Sequence, residues 1–256
     1  FHAAALKQVP AMEYNPSEGI KTNIYGAENV IKAAIINKVS NVIAISTDKA
    51  VSPVNLYGAT KMCFEKLFIA NDFSLASNSE CTKFSVMRYG NVFGSRGSVI
   101  PLFLKQEKEG LFTVTHPEMT RFTITLEDAI NFVLNCSEKM LGGETFIPIL
   151  PSYTIKNLAH AINSNIPIKN IGIREGEKMH EYMISDEEVK RSLIIDDFYV
   201  IIDSKRFNCR EAKSLYEKHY NSSNYLDEHK KNYNSLENEH IDITILQNMI
   251  KEYSLS

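Results

Sequence analysis

The fold is decided by residues 41–49, NVIAISTDK, in which a short apolar run rich in β-branched residues ends in four polar ones. Such a run predicts a strand covered on both faces, as in the middle of a parallel sheet. Helical periodicity over residues 17–37 and 55–72, and a second strand-like run at residues 84–88, continue the pattern. Strand, helix and strand in succession predict an α/β fold built on a parallel sheet with crossover helices.

The pattern predicts two domains and a tail. Residues 1–94 carry the α/β alternation, whereas residues 95–204 mix short strands and helices and predict a smaller mixed domain with some segments returning to the main sheet. Residues 205–256 form a polar tail. Within it, residues 221–240 have few apolar side chains and are expected to be loosely held, while residues 243–253 could form a terminal amphipathic helix.

Composition argues against several classes of protein. The chain has 256 residues, with 28 Lys and Arg against 31 Asp and Glu, so its net charge is −3. This balance argues against a general nucleic-acid binder and gives no polybasic membrane surface. No apolar run approaches the length of a membrane span and no signal peptide is visible, so a cytoplasmic location is expected. The cysteines lack metal-type spacing, which favours free thiols in a reducing compartment; they are Cys63, Cys81, Cys136 and Cys209.

Tyr57 and Lys61 have the Tyr-x-x-x-Lys spacing. Positions i and i+4 share a helix face, so Lys61 is expected to lower the pKa of the Tyr57 phenol from its usual value of about 10. Tyr57 would then be a usable acid or base near neutral pH. The spacing alone is not specific, because a chain of this composition contains about one such pair by chance.

A polar segment just before Tyr57 and Lys61 strengthens the case that this pair belongs to a functional site. Thr47, Asp48 and Lys49 directly follow the predicted strand and would lie at the C-terminal edge of the sheet, where ligands of open α/β folds bind. Tyr57 opens the next helix eight residues after Lys49. These groups therefore predict one site, although from position alone Asp48 and Lys49 could equally form a solvated ion pair in a loop.

A set of motifs between residue 1 and about residue 204 carries a family resemblance. In chain order they are HAAALKQVP (2–10), KTN (21–23), STDKA (46–50), NLYGATK (55–61), RYGNV (88–92), GSRGSVIP (94–101), MTRF (119–122) and GEKMHE (176–181). Together they resemble the extended short-chain dehydrogenase/reductase family, and within it the soluble inverting UDP-N-acetylglucosamine 4,6-dehydratases that open the pseudaminic acid pathway. The resemblance implies a Rossmann-type NAD(P)-binding sheet and a smaller domain for a UDP-sugar.

The resemblance also implies a mechanism. Tyr57 would remove the 4-hydroxyl proton while NADP, with NAD as an alternative, takes the hydride from C4. Lys49 matches the family's base for the C5 proton, and Asp48 matches its acid for the departing 6-hydroxyl. Thr47 would hydrogen-bond the 4-oxygen, and Lys61 would also hold the nicotinamide ribose. A neutral Lys49 and a protonated Asp48 are forms that burial favours.

The resemblance assigns further contacts. For the cofactor they are Ala3, Ala4, Ser46, Tyr57 and Lys61; for the substrate they are Lys7, Asn91, Arg96, Arg121, Glu177 and Lys178. The two arginines suit the pyrophosphate, since guanidinium groups match phosphate oxygens. No metal is expected, because His116 and His180 have no partner at ligand spacing. A homo-oligomer is expected by analogy.

The beginning of the chain suggests a fragment. Phe1-His2-Ala3-Ala4-Ala5 looks like the end of a buried strand, and the dinucleotide fingerprint G-x-G-x-x-G does not occur in the sequence. Roughly 80 upstream residues, about three βα units, would be needed to supply it. The fragment is therefore expected to be truncated at its N-terminus and to bind NADP+ poorly.

Three other functions remain open. A retaining, membrane-anchored 4,6-dehydratase resembles the same motifs but typically carries Met where this chain has Tyr57. A UDP-sugar 4-epimerase needs Tyr57 and Lys61 but no acid and base for C5 and C6, so Asp48 and Lys49 argue against it. A non-catalytic dehydrogenase-like scaffold would be expected to have lost catalytic groups, and those that can be assigned are present.

Overall fold

The computed structural model describes residues 1–72, 81–95, 97–227 and 232–255. Its strands are β1 (Asn41–Ile45), β2 (Lys83–Met87), β3 (Asn91–Val92), β4 (Phe112–Val114), β5 (Thr120–Ile124), β6 (Glu144–Pro148), β7 (Ser152–Thr154), β8 (Ile168–Asn170), β9 (Tyr182–Ile184), β10 (Ser192–Ile195), β11 (Phe198–Ile202) and β12 (Tyr233–Asn234). Its α-helices are α1 (Val9–Tyr14), α2 (Pro16–Ile20), α3 (Gly26–Ile36), α4 (Leu56–Ala70), α5 (Val99–Glu109), α6 (Leu126–Lys139), α7 (Ile155–Asn163), α8 (Asp186–Val189), α9 (Ser204–Phe207), α10 (Arg210–His219) and α11 (Ile243–Leu255).

The chain folds into two units that alternate along the sequence. The first unit contains Phe1–Tyr89, Ile130–Ile149 and Tyr182–Tyr233, and the second contains Gly90–Ala129, Leu150–Glu181 and Asn234–Ser256. The structure therefore sets the boundaries differently from the expected breaks at residues 94 and 204. Later segments return to the first unit because strands β6, β10 and β11 complete its sheet.

The sheet of the first unit is the predicted parallel one, extended by an antiparallel edge. Its strand order is β1-β2-β6-β11-β10. Strands β1 and β2 pair in parallel from Asn41 opposite Lys83 to Ile45 opposite Met87, and β6 pairs in parallel with β2. Strand β11 runs antiparallel to both β6 and β10. The α/β fold with a crossover helix between parallel strands is thereby confirmed.

The start of the chain also contacts this sheet. His2 forms a parallel bridge with Ala44, its amide donating to the Ile43 carbonyl at 2.9 Å and its carbonyl accepting from Ile45 at 3.0 Å. The expected opening strand is thus a single bridge on the outer side of β1 in this structure. Phe1, which was expected to be buried, is 71% exposed.

Both faces of β1 are covered, as its apolar sequence predicts. Val42 and Ala44 pack into one cluster with Phe64 and Phe68 of α4, whereas Ile43 packs into a second cluster on the other face. The alternation of side chains across a strand sends neighbouring residues to opposite faces, so a strand between two layers must be apolar throughout. This burial fixes where β1 ends, and hence where the polar residues after it lie.

The second unit has its own small sheets and core. Strands β3, β5 and β7 form one sheet in that order, and β4 pairs in parallel with β8. The core cluster includes Phe103 of α5, Leu158 of α7, and Leu246 and Ile250 of α11. The terminal helix that the sequence allowed is therefore present, and its apolar side is buried within this unit.

The tail is less loosely held than its composition suggests. In the first unit, Leu226 is buried and its amide donates to the Ser192 carbonyl at 2.9 Å. In the second unit, Ser235 is buried and its hydroxyl accepts the Glu181 amide at 2.9 Å. Polar residues are held here by hydrogen bonds, a form of packing that apolar periodicity cannot reveal. Residues 228–231 of this stretch lie outside the described residues.

Glu144 gives a testable pH dependence of stability. Its carboxyl is fully buried, Oε1 accepts from the Ser85 hydroxyl at 3.0 Å, and burial raises its pKa. A carboxyl with a raised folded pKa contributes fully below its unfolded pKa of about 4.3, and that contribution is lost as pH rises through the folded pKa. The free energy of unfolding of wild type minus that of Glu144→Gln, measured in urea titrations, should therefore fall as the pH rises above about 4. An equal dependence of the free energy of unfolding on pH in the two proteins would contradict this. The control is Glu138→Gln, a substitution at an exposed position.

Candidate active site

The polar segment after β1 is held by the neighbouring strand. The Ser46 amide donates to the Met87 carbonyl at 2.6 Å, and the Asp48 amide donates to the Tyr89 carbonyl at 3.3 Å. Residues Asp48–Ala50 form a short 3-10 turn whose N-cap is Thr47. The segment therefore leaves the C-terminal edge of the sheet in a defined conformation, where the sequence placed it.

The Asp48 carboxyl lies at the centre of this segment. It is fully buried, and Oδ1 accepts from the Thr47 hydroxyl at 2.8 Å and from Lys49 Nζ at 3.1 Å. Its other oxygen, Oδ2, is buried and has no hydrogen-bond partner among the residues that the structure describes. The Lys49 side chain keeps 24% of its surface exposed. Of the two readings left open, a solvated loop pair is wrong, because the carboxylate half of the pair is withdrawn from water.

Tyr57, on helix α4, lies near Asp48 and Lys49. The helix is N-capped by Asn55, whose Oδ1 accepts the Gly58 amide at 2.8 Å. Burial raises the pKa of the Tyr57 phenol, while the charge of Lys49 and a hydrogen bond with Thr47 act in the opposite direction. Tyr57 therefore lies within electrostatic and hydrogen-bonding reach of the polar segment after β1.

Lys61 does not act on Tyr57 as the spacing predicted. Its Nζ donates to the Ile45 carbonyl at 2.6 Å and lies 3.3 Å from the centroid of the Phe64 ring. Burial lowers its pKa to about 7, opposed by the charge of Glu65. The expectation that Lys61 lowers the Tyr57 pKa is not met here: that pKa is raised, and the cation that opposes the rise is Lys49.

The close approach of α4 to the polar segment depends on Gly58. A Cβ added there would overlap the Lys49 carbonyl oxygen and press on Pro53, so only glycine fits between the helix and the turn. A side chain at this position would push Tyr57 away from Asp48. The sequence motif around Tyr57 is thus also a packing motif.

Gly58→Ala is expected to lower activity about 100-fold and to lower the melting temperature, since displacing a catalytic group by about 1 Å can cost that much. The matched control is Gly26→Ala, on α3, where the nearest atom to an added Cβ is the Lys21 carbonyl oxygen at 3.7 Å. That change should stabilise the helix slightly and leave activity intact. Full activity in Gly58→Ala, measured beside Gly26→Ala, would contradict the packing argument.

The structure brings one group of the predicted site residues together within the first unit. Ser46, Thr47, Asp48, Lys49, Tyr57 and Lys61 all belong to the first unit around the end of β1. Ala3, Ala4 and Lys7 are exposed in the same unit, just after the His2 bridge. The remaining predicted substrate residues, Asn91, Arg121, Glu177 and Lys178, belong to the second unit, and Arg96 lies outside the described residues.

Within the second unit, Arg121 is anchored by its own surroundings. Its Nη1 donates to the Thr120 carbonyl at 2.7 Å, and its Nε lies 3.9 Å from Glu181 Oε1. Lys178 Nζ lies 3.9 Å from the other oxygen of the same carboxylate. Two cations therefore lie near one buried carboxylate of the second unit.

The histidines named in the sequence take part in local hydrogen bonding. His180 Nδ1 lies 2.8 Å from the Thr120 hydroxyl, and burial together with the charge of Arg121 lowers the pKa of His180. Across the described ranges, no group of three or more His, Cys, Asp or Glu side chains could hold a metal ion. Nor does any helix in those ranges have the length and apolarity needed to cross a membrane.

Sequence reasoning missed a buried ionic network beside the site. Arg88 is 5% exposed, and its guanidinium donates to Glu65 at 2.7 and 2.9 Å, to Glu188 at 2.8 and 2.9 Å, and to the Met183 carbonyl at 3.0 Å. These contacts use all five N–H groups of the side chain. Glu65 also accepts from the Ser46 hydroxyl at 2.6 Å. Two features of the sequence could have indicated this network. Glu65 stands four residues after Lys61 on the same predicted helix, and the charged Arg88 directly follows the apolar strand β2.

Known proteins share this fold. Solved nucleotide-sugar epimerases and a 4,6-dehydratase that are 17–20% identical superpose with TM-scores of 0.57–0.62, which identifies the sheet as Rossmann-type. The structure of Pen from Bacillus thuringiensis superposes with a TM-score of 0.85 at 36% identity, covering 100% of this chain and 74% of that one. The predicted Rossmann-type α/β fold class is confirmed.

The family is identified by sequence. The profile described as Polysaccharide biosynthesis protein matches residues 1–203, so the chain belongs to this family. The UDP-N-acetylglucosamine 4,6-dehydratase (inverting) of Campylobacter jejuni is 54% identical over 214 residues, covering 83% of this chain. A UDP-glucose 4-epimerase of Rickettsia canadensis is 47% identical over 214 residues, covering 81% of this chain. The chain spans 64% and 62% of the lengths of these two relatives.

Proposed function

We propose that this chain belongs to an NADP-dependent UDP-N-acetylglucosamine 4,6-dehydratase that inverts C5. The observation that carries the proposal is the buried Asp48 carboxyl, paired with Lys49 at 3.1 Å and lying beside Tyr57. A 4-epimerase needs a phenol and an amine for C4 but no second acid and base. The similarity to the inverting dehydratase of Campylobacter jejuni supports the same assignment.

The Asp48–Lys49 pair can supply both an acid and a base. Moving one proton along the 3.1 Å hydrogen bond from Lys49 Nζ to the Asp48 carboxylate converts the ion pair into a neutral amine and a protonated carboxyl. The two forms contain the same number of protons, so the pair can exchange a proton internally without a change of net charge. The second oxygen of Asp48, Oδ2, is buried and has no hydrogen-bond partner among the described residues.

The proposed reaction follows from these positions. Tyr57 takes the proton of the sugar 4-hydroxyl, with Thr47 holding the 4-oxygen, and the resulting 4-ketone acidifies the C5 proton. Lys49 takes that C5 proton while Asp48 gives its proton to the 6-oxygen, so that water leaves and the ion pair is restored. A solvent proton then reaches C5 from the opposite face, giving UDP-2-acetamido-2,6-dideoxy-β-L-arabino-hexos-4-ulose. A bound nicotinamide cofactor would supply the redox chemistry, as the acceptor of the C4 hydride and its donor to C6.

The chain's own residues fit such a cofactor. Lys61, on α4, is buried and donates from Nζ to the Ile45 carbonyl at 2.6 Å, so its other N–H groups would be the ones offered to ribose hydroxyls. Ser46 is the second residue near the end of β1 that was expected to contact the cofactor, and its hydroxyl donates to Glu65 Oε1 at 2.6 Å. We propose NADP as the cofactor, with NAD as the alternative to be compared in the same assay.

Incubation of the full-length protein with UDP-N-acetylglucosamine tests the proposal. The expected product is a 4-keto-6-deoxy sugar nucleotide, lighter than the substrate by one water and identified by mass spectrometry and NMR. The runner-up is 4-epimerisation, favoured by the similarity to the Rickettsia canadensis protein, and it would give UDP-N-acetylgalactosamine with no change in mass. Cofactor binding without either product would instead support a non-catalytic scaffold.

A further inference from the structure

Glu65 joins three elements around the proposed active site. It lies on α4, four residues after Lys61 and eight after Tyr57, so these side chains share one helix face. The residue is 5% exposed. Its Oε1 accepts from the Ser46 hydroxyl at 2.6 Å, at the end of β1, and both its oxygens accept from Arg88, at the end of β2.

Arg88 holds this carboxylate in one place. It donates to Glu65 Oε1 at 2.9 Å and to Oε2 at 2.7 Å, the two-point geometry that fixes a carboxylate most firmly. Arg88 also lies between Met87 and Tyr89, whose carbonyls accept the amides of Ser46 and Asp48. Backbone hydrogen bonds thus anchor the polar segment after β1 to the residues that end β2, and the side-chain hydrogen bonds of Glu65 join the same two places.

The contact with Ser46 ties the segment to the helix that carries Tyr57. Ser46 immediately precedes Thr47, so fixing its side chain limits how far the Thr47 hydroxyl and the Asp48 carboxyl can move relative to α4. The negative charge of Glu65 also opposes the lowering of the Lys61 pKa by burial. One carboxylate therefore influences the position of the segment and the charge of the helix lysine.

We propose that Glu65 is a positioning residue for the reaction, acting through the Ser46 hydroxyl to hold the Thr47-Asp48-Lys49 segment against Tyr57. The inference rests on the proposed function of that site. It assigns no chemical step to Glu65, whose hydrogen bonds in the described part of the chain are with Ser46 and Arg88.

The test compares two buried serines of the first unit in the full-length protein. Ser46→Ala removes the bond to Glu65, and Ser85→Ala removes a matched bond of 3.0 Å from the Ser85 hydroxyl to buried Glu144. Both should lower the melting temperature by similar amounts. Only Ser46→Ala should lower kcat, by about 10-fold, while KM for the sugar nucleotide and for the cofactor changes by less than about twofold.

A second variant keeps the test decisive if Ser46→Ala folds poorly. Glu65→Gln retains an oxygen that can accept from Ser46 but weakens the hold of Arg88, and it should also lower kcat more than KM. If Ser46 acts through Glu65, the double variant should have a kcat no lower than that of the slower single variant. Independent, multiplicative losses of kcat would overturn the proposal.

Two further results would also overturn it. One is a kcat for Ser46→Ala equal to that of Ser85→Ala after correction for the folded fraction. The other is a raised KM for the cofactor with unchanged kcat, which would make the Ser46 hydroxyl a cofactor contact. The identity of the wild-type product tests the proposed function separately. The ratio of variant to wild-type kcat can be measured whether the reaction is dehydration or epimerisation, because both reactions would use Tyr57.

Discussion

Arg88→Ala is expected to destabilise the protein by about 3–5 kcal/mol, because removing one partner of a buried ionic network leaves the other charges uncompensated. The Glu65 and Glu188 carboxylates would lose four hydrogen bonds from the guanidinium, at 2.7–2.9 Å. The Met183 carbonyl would lose another at 3.0 Å. Since a whole domain is stable by only about 5–15 kcal/mol, this loss would remove a large fraction of the free energy of unfolding.

Urea unfolding measures this effect directly. The control is Arg174→Ala, whose side chain is 60% exposed and lies 3.9 Å from Glu177, a pair worth about 0–1 kcal/mol. A loss below about 1 kcal/mol in Arg88→Ala would show that the network stabilises little and would contradict the account.

The same network predicts a loss of stability in acid. The charge and hydrogen bonds of Arg88 outweigh burial and lower the pKa of Glu188 to about 2. A carboxyl with a lowered folded pKa contributes its stability above the unfolded pKa of about 4.3, and loses it as pH falls through the folded value. Wild type should therefore lose this contribution between about pH 4 and pH 2, whereas Arg88→Ala should not show that step.

Asp48→Asn and Lys49→Met are expected to separate the steps of the proposed reaction. The amide introduced by Asp48→Asn would fill the same space as the carboxyl but has no acidic proton for the 6-oxygen, so dehydration should fall by about 10³-fold or more. Loss of the Asp48 charge would also leave Lys49 without its carboxylate partner at 3.1 Å, which favours the neutral amine. Exchange of the C5 proton with solvent deuterium should therefore persist in Asp48→Asn.

Lys49→Met should have the complementary defect. Without the amine, neither C5 exchange nor dehydration is expected, while reduction of the cofactor by C4 of the sugar should remain visible by absorbance. The control is Lys66→Met, an exposed lysine on α4, which should retain both reactions. C5 exchange at the wild-type rate in Lys49→Met would remove that residue from the role of base.

Much of the fold could be predicted from local patterns. The helix predicted over residues 55–72 and the strand predicted over residues 84–88 agree with α4 and β2 to within two residues, because each segment has a clear period. For α4 the start is also marked by the Asn55 cap, whose Oδ1 accepts the Gly58 amide at 2.8 Å. The polar segment after β1 lies at the C-terminal edge of the sheet, as a parallel strand requires.

The rest depends on contacts far apart in the sequence. On α4 the apolar Met62 is 39% exposed, whereas the charged Lys61 and Glu65 are buried. Their burial is possible only because Ile45 and Arg88 supply partners from other strands. Glu188 reaches Arg88 across 100 residues, and no spacing rule connects them. Hydrophobic periodicity assigns charged side chains to the surface, so it fails where a buried network compensates them.

The most direct test of the account follows the C5 position during turnover. The full-length protein is incubated with UDP-N-acetylglucosamine in deuterated water, and the product is examined by NMR. The expected product is a 4-keto-6-deoxy sugar nucleotide that carries deuterium at C5 and has the inverted configuration there. A product that retains its original C5 proton and its 6-hydroxyl would show that Asp48 and Lys49 do not act as acid and base on the sugar.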